Sequence, residues 1–328
     1  MRVKAMYNQY NYLFTIYIAI TSLKNIKIKM KVSGYVKLSE NRVYSCHNEP
    51  VMTCLEIDNN HFITGGFDRL LGKIDNSKDD IDAFTYEKRY HNGIIYQFLR
   101  INSEKFASCS QDGTVCINNT STFKHDTTLK KEGVLFRCIE LIDPSSIAAG
   151  GSDNIITVFD MNAKKIKYEL RGHQSYLLAL FYNGKDLFSS ANDFTLKQWS
   201  LSDKTIILSV DLTSLVRTFC EVDSKTFATG DEKGDIIIWN TGDKVEKKKE
   251  IKGHQGTCHV ITKLRKKNVW VSGGKDKSII FWDLRKGSEV GRATDIHFDR
   301  IKTIAELGTN QLITCSFDTL IKVWDISY

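Results

Sequence analysis

One twelve-residue stretch, "SGGKDKSIIFWD" at 272–283, constrains this chain more than any other feature, because it recurs. Its relatives are "TGGFDRLLGKID" (64–75), "SCSQDGTVCINN" (108–119), "AGGSDNIITVFD" (149–160), "SSANDFTLKQWS" (189–200), "TGDEKGDIIIWN" (229–240) and "TCSFDTLIKVWD" (314–325). Successive copies start 44, 41, 40, 40, 43 and 42 residues apart, seven in all. A steady period near 40, with room for four short strands per unit, is the mark of a β-propeller. The order inside the stretch fits that architecture. Small residues close one strand where its sheet packs tightly on the next. An acid sits in the turn: Asp68, Asp112, Asp153, Asp193, Asp276 and Asp318, with Lys233 in the fifth copy. A branched apolar run then forms a strand buried on both faces, sandwiched between neighbouring blades. Trp or Phe ends the run and supplies a large apolar area.

The bulk numbers agree with one continuous folded unit. The chain has 328 residues, 41% of them hydrophobic, a net charge of +7 and only two prolines, Pro50 and Pro144. No Pro/Gly/Ser-rich linker divides it. The eight cysteines contain no CxxC pair and mostly sit inside apolar runs, so they read as reduced core residues of an intracellular protein rather than zinc ligands. Basic residues cluster in "KNIKIKMK" (24–31), "KVEKKKEIK" (244–252) and "KLRKK" (263–267). Such runs are usually solvated faces, so nucleic acid is admitted as a partner but not favoured. The apolar "YLFTIYIAITSL" (12–23) is short for a membrane span, and lysines rather than a small-residue cleavage site follow it. Residues 1–31 are therefore expected to be a disordered or non-native extension, ahead of a signal or anchor, with a structural strand as the third reading. The propeller is expected over 32–328.

About 21 residues before the turn acid stands a histidine: His47, His91, His173, His254 and His297, two of them in Gly-His pairs. With the period and the Trp-Asp endings, this resembles the WD-repeat family over residues 33–328. The resemblance implies an all-β, seven-bladed propeller of four-stranded antiparallel blades. It further implies a buried hydrogen-bonded chain of His, strand Ser/Thr, turn Asp and Trp. The full set is His173, Ser189, Asp193 and Trp199 in blade four. Blade six has His254, Ser272, Asp276 and Trp282, and blade seven has His297, Thr314, Asp318 and Trp324. Blades one and two have Ile74 and Asn118 in place of Trp. Blade three has Phe159 there, Ala149 in place of the hydroxyl residue and no His; blade five has Lys233 and no His. Those blades should be held more by apolar packing. The seventh copy lacks an outer strand of its own, while "GYVKLSENRVYS" (34–45) has no blade. Pairing of that segment with the last blade would close the ring and hide two sheet edges.

No catalytic motif is defensible. "GGFDRLLGK" (65–73) has the wrong spacing for a phosphate loop, and the His/Asp/Ser sets recur because every repeat needs its structural device. No enzyme activity, cofactor or metal is expected. Binding is the default role of such a scaffold. Resemblance to WD-repeat proteins places three residues per blade on the narrower surface: three and five residues after the His, and the residue before the turn acid. The candidate contacts are Met52, Phe67, Ile94, Tyr96, Phe136, Tyr176, Arg217, His259, Lys275, Arg300, Lys302 and Phe317. Blades one to four are read as apolar and aromatic, five to seven as basic. In blades three and five, which lack the His, strand alignment sets the positions. An aromatic patch beside a basic arc suits peptide segments with apolar anchors and acidic or phosphorylated residues. The expected function is a non-catalytic, intracellular (cytoplasmic or nuclear) interaction scaffold, a monomeric propeller within a larger complex, with no membrane span. Trp282-Asp283-Leu284-Arg285 resembles the box by which WD-repeat substrate receptors dock on cullin-RING ubiquitin ligases, with Arg285 as the contact. An RNA- or ribosome-associated propeller is a further alternative.

Overall fold

The computed structural model describes residues 30–31, 37–78, 83–241, 245–265 and 268–327. The apolar stretch 12–23 and the rest of the N-terminal extension, apart from Met30 and Lys31, lie outside the described residues, as do Lys244, Lys266 and Lys267 of the basic runs. Seven antiparallel sheets follow one another along the chain. Their first strands are Val51–Glu56, Ile95–Arg100, Phe136–Asp143, Leu177–Tyr182, Val216–Asp223, Cys258–Lys263 and Ile301–Leu307. All seven line one central channel. Blades two to five continue outward through two buried strands to a fourth that is largely exposed, such as Lys165–Arg171 in blade three.

The repeated stretch spans the second and third strands, and its glycines answer to packing between blades. A Cβ on Gly150 would lie 2.8 Å from the Leu177 side chain of the next blade, and one on Gly273 would lie 2.8 Å from Ile301. A Cβ on the adjacent Gly274 would sit 2.4 Å from the His254 ring. The first glycine therefore lets blades approach; the second leaves room for the histidine in blade six, and for the Pro50 or Leu135 carbonyl in blades one and three. The core is correspondingly a set of apolar seams between blades. One seam joins blade seven to blade one through Leu307, Ile313, Cys315, Ile321 and Val323 against Val51, Cys54, Phe62 and Ile74.

The ring closes through Lys37–Tyr44, which pairs antiparallel with Ile321–Ser327, the third strand of blade seven. Leu38 faces Ile326 and Glu40 faces Trp324; the register then skips Asn41, so that Arg42 faces Val323. The outer strands of blades three to six show the same skip beside their Phe159, Trp199, Trp239 and Trp282. The N-terminal segment is thus the missing fourth strand down to its bulge. Asn41 Nδ2 donates to the Asp325 carboxylate at 2.8 and 2.9 Å, and Lys322 Nζ pairs with Glu40 at 2.8 Å. Met30–Lys31 adds a short fifth strand beside Lys37–Leu38.

Candidate functional site

The site is assembled on a rigid frame, and the frame is held by buried polar chains. In blade six His254 Nδ1 lies 2.9 Å from Asp276, and Nε2 lies 2.8 Å from Ser272 Oγ, which also receives the Trp282 Nε1 proton at 2.8 Å. Blade four repeats this with His173, Asp193, Ser189 and Trp199 at 2.7–2.8 Å. Blade seven repeats it with His297, Asp318, Thr314 and Trp324 at 2.7–2.9 Å. The serines and the threonine are fully buried. Each spends its oxygen on a Trp and a His, which leaves no exposed nucleophile in these sets.

The departing blades substitute rather than simply omit. Blade one keeps His47 between Asp68 (2.6 Å) and Thr64 (2.8 Å). In blade two His91 lies 2.8 Å from both Ser108 and Thr114. Burial works to lower its pKa, but Asp112, at 3.4 Å, and Cys116 outweigh that and raise it to about 9. In blade three Lys131 Nζ sits 2.8 Å from Asp153 and 2.6 Å from Glu169. Blade five keeps half the chain, Trp239 Nε1 donating to Thr229 Oγ1 at 2.9 Å, while Lys252 pairs with the buried Asp235 at 2.5 Å.

On the face that carries the turn acids, seven equivalent hydrogen bonds define the blade register. The residue before the acid position donates its N–H to the residue that opens the inner strand: Phe67 to Pro50, Gln111 to Ile94, Ser152 to Leu135, Asn192 to Tyr176, Glu232 to Leu215, Lys275 to Thr257, Phe317 to Arg300. Two residues further on, every inner strand carries a bulge. The bulged residues are Met52, Tyr96, Arg137, Leu178, Arg217, His259 and Lys302. A bulge re-aims its side chain, and all seven line the channel.

This corrects the sequence reading in blade three. Strand alignment assigns Phe136 to the surface, but it is buried in the seam with blade two and packs edge-on against Phe159. Without a histidine to set the phase, the alignment slips by one residue, and in a strand that exchanges the two faces. The residues in register with the other blades' positions are Leu135, 44% exposed, and Arg137. Arg137 therefore adds a cation in blade three, separated by blade four from the basic arc of blades five to seven.

Phe67 and Phe317 meet edge-to-face across the ring closure with centroids 5.6 Å apart, and the Arg300 guanidinium lies 4.5 Å from the Phe317 ring centre. Of the other candidates, Tyr176 and Lys275 are exposed, Ile94 and Tyr96 partly so, and Met52 is almost covered. Phe298 is 65% exposed beside this face, where its backbone N–H binds the Asp318 carboxylate. It was missed, although a signal existed: the residue after the other histidines is Asn48, Asn92, Gln174 or Gln255.

Inside the channel Lys302 is pushed down to about 7 by burial and by Arg137, Arg217 and Arg300. His259 falls to about 2 through burial and through Lys302, Arg300, Arg217 and Arg137. Burial raises Glu140 to about 8. The interior is thus cationic, with its one lining carboxyl held largely protonated at neutral pH.

A sequence profile described as "WD domain, G-beta repeat" matches residues 245–283, within blades five and six. WD repeat-containing protein 1 of Gallus gallus is 22% identical over 250 residues, 72% of this chain and 41% of that protein. The guanine nucleotide-binding protein subunit beta of Solanum tuberosum is 21% identical over 64% of this chain and 61% of its own length. Autophagy-related protein 16 of Arabidopsis thaliana is 26% identical over 44% and 29%. With seven blades built on the same hydrogen-bonded devices, these matches decide the family. The chain is a WD-repeat β-propeller. It spans less than two thirds of the length of each of these relatives.

At the opposite end of this WD-repeat propeller, Arg285 follows the third strand of blade six and is exposed. It lines a cleft of about 420 Å³ between blades five and six with Lys248, Lys249 and Lys286 and the apolar Val222, Ile238 and Leu284. Lys249 Nζ donates to the carbonyls of Lys286 and Gly287, at 3.0 and 2.9 Å, and so ties the outer strand of blade five to the Arg285 turn. All eight cysteines are free thiols; seven are buried, and burial pushes Cys138 and Cys220 up to about 12. Among the described residues, no helix is long and apolar enough to cross a bilayer.

Proposed function

We propose that this propeller is a non-catalytic, cytoplasmic or nuclear scaffold, a monomer within a larger complex, that holds peptide segments of partner proteins on the face carrying the turn acids. Proteins of the WD-repeat family typically bind other proteins. The observation that carries the reading is the pairing of Phe67 with Phe317 beside Arg300, flanked by the exposed Phe298 and, across the ring, Tyr176 and Leu135. Aromatic anchors next to cations suit a segment with apolar side chains and an acidic or phosphorylated residue. The test is affinity purification with quantitative mass spectrometry, comparing the natural chain with Phe67→Ala/Phe317→Ala. The partners are expected to be lost while the melting temperature falls by only a few degrees. An unchanged partner list would refute the assignment.

A second reading rests on Arg285. Its exposure on the opposite face, in the Trp282-Asp283-Leu284-Arg285 turn, leaves it free to dock a ubiquitin-ligase adaptor while the first face holds a substrate. Arg285→Ala is then expected to abolish co-purification of ligase subunits without changing the partners of the first face. If ligase subunits never co-purify with the natural chain, this reading is dismissed. The RNA-associated alternative predicts nucleic-acid binding that weakens steeply with salt.

A further inference from the structure

The bulged residues of all seven inner strands surround a channel of about 300 Å³. Three of the seven, Arg137, Arg217 and Lys302, are cations, and His259 stands beside them. Arg217 is offset by an ion pair with Glu232, and Arg300 near the mouth by Asp299 at 3.4 Å. Arg137 and Lys302 have no carboxylate partner among the described residues. Arg137 lies over the Tyr96 ring, 5.9 Å from its centre, and the nearest polar partner of Lys302 Nζ is His259 Nδ1 at 3.4 Å. Two half-buried cations without counter-charge are costly in a folded protein unless something pairs with them.

His259 adds a directional clue. Below pH 7, where Lys302 is protonated, its ammonium can only donate, so His259 Nδ1 accepts and the neutral ring carries its proton on Nε2. That Nε2 is buried and has no hydrogen-bond partner among the described residues. The channel therefore presents two uncompensated cations on bulges that aim inward, with the covered His259 ring beside Lys302. Arg137 supplies the planar fork that grips an oxyanion through two parallel hydrogen bonds.

We propose that the channel binds a dianionic oxyanion of the phosphoryl class, gripped by Arg137 and Lys302, with His259 orienting Lys302 from beside it. A charge of −2 cancels the two unpaired cations. The cavity volume suits one such group with a small carrier. The carrier is either a free phosphate compound or a phosphorylated side chain of a bound segment; in the second case the proposal deepens the reading of the face above, but the channel site itself needs no peptide.

The test is isothermal titration calorimetry of the full chain in phosphate-free buffer at pH 6.5, with inorganic pyrophosphate and with sulfate. One saturable site is expected. Arg137→Gln and Lys302→Met should each weaken it by about tenfold or more. The Lys248→Ala/Lys249→Ala variant of the exposed basic cleft should bind as the natural chain does. Replacing unpaired, half-buried cations should not unfold the protein, and a melting curve of each variant checks this. No saturable binding, or undiminished binding by the Arg137→Gln/Lys302→Met double variant, overturns the proposal. Blocked phosphoserine separates the carriers. Displacement of pyrophosphate by it supports the site with a protein side chain as carrier, and failure to displace supports the site with a free compound. No partner protein enters the titration, so its failure leaves the peptide reading standing, and loss of partners in the Phe67/Phe317 variant leaves the channel site standing.

Discussion

At the scale of single residues, the hydrogen-bonded chain distinguishes blades that look alike in backbone. Ser272 Oγ satisfies two buried groups, Trp282 Nε1 and His254 Nε2, whereas Thr229 Oγ1 in blade five satisfies only Trp239 Nε1. Leaving a buried polar group unpaired costs about 1–3 kcal/mol. Ser272→Ala should therefore destabilise the protein by about 2–4 kcal/mol, and Thr229→Val by roughly half as much. Urea unfolding followed by tryptophan fluorescence measures both, and equal losses would show that the histidine link adds nothing. The members of these chains could be read from spacing alone, because hydrogen-bond reach forces them to recur at matching offsets. The replacements in blades three and five could not. Lys131 and Lys252 come from positions where a lysine looks like any surface lysine, and only the fold brings them to Asp153 and Asp235.

At the scale of elements, the closing strand is the most consequential piece of chain. Leu38 and Tyr44 are buried, and Tyr44 Oη donates to Asn76 Oδ1 at 2.7 Å in blade one. Deleting residues 1–44 removes both side chains and bares the edge of Ile321–Ser327. A loss of about 4–8 kcal/mol is expected from the lost burial and the cavities left behind. The bare edge should drive concentration-dependent association, visible by light scattering after gel filtration. A truncated chain that stayed monomeric and as stable as the original would contradict the closure. Leu38→Ala is the milder check, at about 2–4 kcal/mol. The need for this strand follows from counting: seven third strands, six fourth strands and one unassigned segment. The inner strand of blade three was the element least legible, because its phase is set by the Ser152-to-Leu135 hydrogen bond and the bulge at Arg137 rather than by any local motif.

At the scale of the whole molecule, the channel couples groups from different blades and gives the protein a pH signature. Glu140 rises from an ordinary 4.5 to about 8, so between those values the folded state holds a proton that the unfolded state has lost, and stability falls as pH rises. Lys302 drops from 10.5 to about 7, so between those values the unfolded state holds the extra proton, and stability rises with pH. Together they predict a dip in their joint contribution near pH 7–8. Denaturant midpoints from pH 5 to 10 test it. Glu140→Gln should remove the fall on the acid side and Lys302→Met the rise on the alkaline side; unchanged slopes in both variants would count against the channel electrostatics.

The seven repeats, their turns, their buried polar chains and the need for a borrowed outer strand were determined by the sequence itself, because each depends on residues within one period of each other or on a simple count of strands. Which side chains meet on the axis was decided only by the tertiary structure. Arg137 and Lys302 are 165 positions apart in the chain, and their convergence depends on ring closure and on which residue of each inner strand the bulge turns inward. Periodicity is a local property, whereas the field in the channel is the sum over all seven blades.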